Sequence, residues 1–101
     1  PMTTDPTFRM TVQDIFFIKG RGTVVTGRVE SGIITVGDEI RIQGKSANKT
    51  AIVTGVEVLR KVTTQAKAGD NIGLLFKDIT KEDVQVGDIL TGSDLDFTWK
   101  P

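Results

Sequence analysis

Gly20-Arg21-Gly22-Thr23-Val24-Val25-Thr26-Gly27-Arg28-Val29-Glu30-Ser31-Gly32 is the stretch on which the fold turns. Glycines bracket a run rich in β-branched residues, and the run alternates. Val25, Gly27 and Val29 fall on one side of an extended chain, and Val24, Thr26 and Arg28 on the other. This predicts a strand over 23–30 with tight turns at Gly20-Arg21-Gly22 and Ser31-Gly32. Two nucleotide motifs are excluded at the same place. Gly22 and Gly27 have the spacing of a phosphate-binding loop, but Arg28 and Val29 stand where Lys and Ser/Thr are needed, and no helix follows. Gly20-Arg21-Gly22 begins like a dinucleotide fingerprint, but Val25 replaces its last glycine.

The pattern continues on both sides. Six strands are predicted, over 8–18, 23–30, 38–43, 51–60, 71–77 and 88–92, with further turns at 44–48, Ala68-Gly69-Asp70 and Val86-Gly87-Asp88. Only Thr80-Lys81-Glu82-Asp83-Val84 supports a helical turn, with Thr80 and Asp83 as a short capping box. Val36-Gly37-Asp38-Glu39-Ile40 echoes Val86-Gly87-Asp88-Ile89-Leu90, which reads as two similar turns launching strands. Short strands of one small domain hide their edges when the sheet closes. The expected fold is all-β: a six-stranded closed Greek-key barrel with one short helical turn.

Alternation assigns faces. Ile52, Val56 and Val58 are expected inside, with Gly55, Glu57 and Leu59 outside; Ile72, Leu74 and Phe76 inside, with Asn71, Gly73 and Leu75 outside. Phe8, Met10 and Val12 share a face whose next member is Asp14, so a β-bulge near Asp14 is expected, turning Ile15 inward and leaving Phe16 and Ile18 outside. Val24, Leu59, Leu75, Phe16 and Ile18 would then form an outer apolar patch near Glu57, Thr26, Asn71 and Asp14, unless loops or the C-terminal tail cover it.

Composition narrows the function. The chain has 101 residues, 13 Lys+Arg against 13 Asp+Glu, and no Cys, His or Tyr. One domain fits that length. Zero net charge weighs against a freestanding DNA or RNA binder. Disulfides and thiolate metal sites are excluded, and the commonest general base is missing. Ser31, Ser46 and Ser93 lack a base, and Asp94-Leu95-Asp96 is too short for a calcium loop. Asp14, Glu57 and Asp70 could meet in space, but no spacing argues for hydrolysis. The expectation is a noncatalytic, cytoplasmic domain without a cofactor, metal, membrane partner or DNA partner. Residues 1–7 are expected to be a loose segment, 8–92 the barrel, and 93–101 a tail carrying Trp99.

The stretch Asp14-Ile15-Phe16-Phe17-Ile18-Lys19-Gly20-Arg21-Gly22-Thr23-Val24-Val25-Thr26-Gly27-Arg28-Val29-Glu30-Ser31-Gly32 closely resembles the opening of the second domain of the bacterial elongation factor Tu family. The likeness continues through Gly37-Asp38-Glu39-Ile40, Thr54-Gly55-Val56-Glu57-Val58-Leu59-Arg60-Lys61, Ala68-Gly69-Asp70-Asn71-Ile72-Gly73 and Val86-Gly87-Asp88-Ile89-Leu90, roughly residues 8–92. The resemblance implies a translation-factor barrel that leans on a GTPase domain, works on the ribosome, and receives the 3′ aminoacyl end of tRNA. The implied pocket for the terminal adenosine involves Ile18, Gly20, Val24, Glu57, Arg60 and Leu75. The implied aminoacyl side involves Asp14, Phe16, Thr26 and Asn71. Gln13 departs from the family's usual acidic residue and Leu59 from its frequent aromatic ring. Neither a GTPase domain nor a third domain lies within the 101 residues. Two expectations stay open: a domain excised from a larger factor, or a self-standing paralogue acting as a protein-interaction module with no tRNA role.

Overall fold

The computed structural model describes residues 7–44 and 48–92. The expectations for residues 1–6 and for the tail from 93 onward lie outside the described residues. The glycine-bracketed stretch forms the longest strand, β3 (Gly22–Ser31), with Thr23, Val25, Gly27 and Val29 buried. Around it lie β1 (Arg9–Thr11), β2 (Asp14–Ile18), β4 (Ile33–Thr35), β5 (Glu39–Gln43), β6 (Asn48–Ile52), β7 (Gly55–Val58), β8 (Lys61–Thr63), β9 (Gln65–Lys67), β10 (Asn71–Phe76) and β11 (Ile89–Gly92). All pairings among them are antiparallel. The order β6-β5-β11-β1-β3-β10-β7-β8 gives one curled sheet, with β2 beside β3 and a separate β4-β9 ribbon, consistent with a translation-factor β-barrel. The ladder path has ends at β6 and β8, so the described strands curl around the core without a closing ladder.

The strand count exceeds the six expected because two long runs are each broken in two and three short strands carry no sequence signal. The run 8–18 becomes β1 and β2, which follow one another along one edge of β3 while β10 takes the other. Met10 opposes Val29 and Asp14 opposes Thr26, so four steps on one strand face three on the other. That extra residue is the expected phase break: Phe8, Met10 and Val12 are buried, Asp14, Phe16 and Ile18 are exposed, and Ile15 packs against the core. The run 51–60 becomes β6 and β7. Val53 donates its N–H to Asp38 (2.9 Å) and Thr54 to Leu75 (2.8 Å), so the chain changes partner between them. The change also shifts the phase. Ala51 and Val53 are buried and Ile52 is exposed, the reverse of its expected inward orientation.

No helix forms among the described residues. The 80–83 capping box is present, with the Thr80 N–H donating to Asp83 (2.8 Å) and the Glu82 N–H to the Thr80 hydroxyl (3.3 Å). It closes a single turn, because Val84 is drawn into the core and the next turn begins at Gln85. The echoed segments are one device used three times. In Thr35-Val36-Gly37-Asp38, Lys67-Ala68-Gly69-Asp70 and Gln85-Val86-Gly87-Asp88, the glycine has positive φ and the Asp N–H returns to the first carbonyl. The Asp carboxylate accepts the first residue's N–H at 2.9, 3.0 and 2.8 Å respectively. These turns launch β5, β10 and β11.

The core joins Met10, Val25, Val29, Ile40, Ile42, Val56, Leu74, Phe76 and Leu90 with Ile34 and Ala66 of the ribbon. Gly22 and Gly27 serve this packing. A Cβ on Gly22 would lie 2.3 Å from the Phe76 carbonyl oxygen, and one on Gly27 2.5 Å from that of Thr11. The buried Thr23 hydroxyl donates to Ile79 at 2.8 Å and ties down the 77–88 connection.

Candidate functional site

The even-numbered residues of β3 face outward, and cross-strand register extends them into rows, since paired residues share a face. One row runs Phe16–Val24–Leu75–Gly55 across β2, β3, β10 and β7. The next runs Asp14–Thr26–Gly73–Glu57–Val62, reaching β8. A third begins at Arg28–Asn71 and points at the β7–β8 turn.

Two adjoining hollows open on this face. One, about 320 Å³, is lined by Phe16, Ile18, Arg21, Val24, Thr54, Gly55, Glu57, Val62, Gly73 and Leu75. The other, about 360 Å³, is lined by Phe16, Val24, Thr26, Glu57, Leu59, Arg60, Asn71 and Gly73. They share Phe16, Val24, Glu57 and Gly73. Of the implied adenosine residues, Ile18, Val24, Glu57 and Leu75 meet in the first hollow. Arg60 lies in the second, because it follows β7 into a turn at the Asn71 end of the rows. Phe16, Thr26 and Asn71 of the aminoacyl set also line the second. Gly20 lines a third hollow at the β2–β3 turn, with Lys19 and Lys77, that shares Ile18 and Arg21 with the first, and Asp14 lines neither of the first two.

The floor is apolar and the rim charged. Phe16 is 53% exposed, Leu59 76% and Val62 82%, a concentration of uncovered apolar surface. Among the described residues Glu57, Arg21 and Arg60 form no ion pair. Val58 pairs with Lys61 across Leu59 and Arg60, which have φ of 53° and 67°. Both central residues are left-handed, as in a type I′ hairpin turn that normally takes Asn and Gly. The turn holds Leu59 and Arg60 over the second hollow.

Asp14 and Glu57 end up three strands apart in one row, roughly 14 Å along the sheet. That separates the carboxylates that sequence alone allowed to meet. Among the described residues no group of three potential ligands could hold a metal ion, and no helix is long and apolar enough to cross a membrane. The groups with shifted acidity lie elsewhere. The Thr11 hydroxyl and then the Arg9 guanidinium hold Glu30 below its ordinary value. The Thr80 N–H and then the Lys49 ammonium do the same for Asp83.

Sequence reasoning missed Gly73 and Val62 as parts of the site. Gly73 was legible as outward-facing, but a missing side chain draws no attention. Val62 follows the turn at which the sequence-predicted strand ended. The family model described as Elongation factor Tu domain 2 matches residues 22–91, more than half of the chain.

Proposed function

The chain belongs to the elongation factor Tu domain 2 family, and from that premise we propose that its outer face receives the 3′ aminoacyl end of a tRNA. The observation that supports this reading is an overlap. Ile18, Val24, Glu57, Leu75, Phe16, Thr26, Asn71 and Arg60, which the family resemblance points to, line two hollows that share a floor. The first hollow offers apolar walls at Val24 and Leu75 for a base, with Glu57 to accept hydrogen bonds from it. The second offers Asn71 and Thr26 as hydrogen-bonding groups and Arg60 as a cation. The domain acts as a noncatalytic binding surface in the cytoplasm, with a GTPase domain and the ribosome as the partners that give it useful affinity.

Base contact worth about 1–3 kcal/mol and two hydrogen bonds of roughly 1 kcal/mol each give an isolated dissociation constant on the order of millimolar. A two-dimensional NMR titration with an aminoacylated 3′-end mimic tests this. Shifts should cluster at Ile18, Val24, Glu57, Asn71 and Leu75, and Glu57→Ala should remove them without unfolding the barrel. Shifts elsewhere, or an unaffected Glu57→Ala protein, would reject the reading. A second reading, a protein-interaction module, draws on the exposed Leu59 and Val62. It is favoured if the mimic leaves the whole face unmoved.

A further inference from the structure

We propose that a fourth hollow, between the 85–88 turn and the adjoining ends of β5 and β6, seats an arginine side chain of a partner protein, with Asp88 as the carboxylate that holds it. This hollow encloses about 660 Å³ and shares no lining residue with the other three. It therefore stands apart from the outer face and from the tRNA reading. One wall is the row Asn48–Gln43–Ile89, set by register across β6, β5 and β11. The other is the 85–88 turn, which brings in Asp88, the one charged group among the described lining residues.

The three clasped turns differ in how their carboxylates are compensated. Asp38 is exposed, so water solvates it. Asp70 has the Lys67 ammonium at 3.6 Å. Asp88 is only 8% exposed and has no ion pair among the described residues. Its Oδ2 accepts the Gln85 N–H at 2.8 Å, and its Oδ1 accepts no hydrogen bond among the described residues. None of their fully enclosed side-chain oxygens lacks a partner, so Oδ1 is open to the hollow. Gly44 leaves the carboxylate its place, since a Cβ there would lie 2.5 Å from it. A carboxylate withdrawn from water without a counter-ion is costly, and an entering cation relieves that cost. A second acceptor stands nearby. The Gln43 amide nitrogen donates to Thr91 Oγ1 at 3.1 Å, which leaves its carbonyl oxygen to accept. Two acceptors in one concave site suit a guanidinium, whose planar fork carries five donors and is weakly hydrated, better than a compact, strongly hydrated ammonium.

The experiment is a two-dimensional NMR titration with Nα-acetyl-arginine amide, beside its citrulline and lysine counterparts. Citrulline keeps the shape of arginine and lacks its charge. On wild type the arginine probe should shift Gln43, Gly87, Asp88 and Ile89 along one saturating curve, while Asp38, in the exposed copy of the turn, stays unmoved. Citrulline should bind about tenfold more weakly, the worth of a charge-assisted hydrogen bond, and lysine should also bind more weakly than arginine. Asp88→Asn keeps an acceptor for the Gln85 N–H and should reduce the arginine probe to the level of citrulline. Retained amide dispersion establishes that this variant is folded; should it unfold, the comparison of arginine with citrulline on wild type decides alone. Citrulline or lysine binding as well as arginine, a folded Asp88→Asn protein that binds normally, or shifts at Asp38 equal to those at Asp88 would each overturn the site. Lys45 lies in the segment outside the described residues, so Lys45→Ala completes the set. Arginine binding that emerges only in Lys45→Ala would give Asp88 to the chain's own ammonium and overturn the proposal.

Discussion

The barrel turns its chain in two ways, and the contrast separates residues that serve the fold from residues that serve the site. At Gly37, Gly69 and Gly87, φ is 98°, 96° and 94°, and the following aspartate clasps the turn shut. Left-handed backbone is assigned to the residue type that adopts it without penalty. At Leu59 and Arg60 the backbone is just as left-handed, but both residues carry a Cβ and no aspartate clasps the turn. A left-handed residue other than glycine is disfavoured by about 1–2 kcal/mol. The three glycine turns launch core strands; the strained one overhangs the second hollow. Strain tolerated beside a hollow and avoided where strands are launched fits a turn kept for what its side chains do.

The contrast breaks most visibly at Asp88. Its side chain is buried, its carboxylate accepts the Gln85 N–H, and Gly44 packs so closely that a Cβ there would lie 2.5 Å from it. Asp88→Ala removes a buried charged acceptor and should lower unfolding stability by about 2–3 kcal/mol. Asp38→Ala, at an exposed copy of the same turn, should lower it by about 1 kcal/mol. Chemical denaturation of both variants is the check. Equal losses would mean that burial adds nothing to the clasp, and no loss in either would remove the clasp as a structural device.

The strained turn should respond in the opposite direction. Replacing Leu59 by Asn and Arg60 by Gly supplies the residues that a type I′ turn prefers. Relief of left-handed strain, offset by the added chain entropy of glycine, should raise stability by roughly 1 kcal/mol. The same double variant should weaken binding of the 3′-end mimic, because both replaced side chains line the second hollow. A destabilised variant, or one that binds normally, would end the distinction between the two kinds of turn.

A smaller effect comes from the 80–83 turn, whose clasp is charged. Asp83 accepts the Thr80 N–H at 2.8 Å and the Lys49 ammonium at 3.0 Å, and is held below its ordinary value of 3.8. A carboxylate with a lowered folded-state pKa adds stability that is present above its unfolded value and lost as pH falls through the folded one. Asp83→Asn should therefore fall short of wild type at pH 5 and above. The gap should close progressively below about pH 4. A gap independent of pH would show that the turn relies on hydrogen-bond geometry alone.

What could be read from sequence follows the same division. β3 was legible because alternation and flanking glycines agree over ten residues. The clasped turns were visible as an echo between Gly37-Asp38 and Gly87-Asp88, though not as a device shared with Gly69-Asp70. β4, β8 and β9, at three residues each, carry no period long enough to see; their partners define them. The outward positions of Phe16, Val24, Glu57 and Leu75 came from alternation, but their meeting depends on register across four strands, which no single strand encodes. Leu59-Arg60 gives no turn signal, so neither its left-handed backbone nor its place over the hollow could be anticipated.

The least visible change in stability is the most discriminating. Arg60→Ala keeps a Cβ at φ 67°, so the backbone strain remains. Arg60 is exposed and forms no ion pair among the described residues, so its truncation removes no folded-state partner of that kind. Unfolding stability should therefore stay within about 0.5 kcal/mol of wild type. Arg60→Gly, which frees the backbone, should lie above both. Binding should order differently. Both variants lack the guanidinium over the second hollow, so both should lose the same part of the affinity for the 3′-end mimic. If strain itself preorganises the site, Arg60→Gly will bind more weakly than Arg60→Ala. If the side chain alone matters, the two will coincide. Should Arg60→Ala gain as much stability as Arg60→Gly, the left-handed turn carries no strain, and the contrast with the glycine turns loses its physical basis.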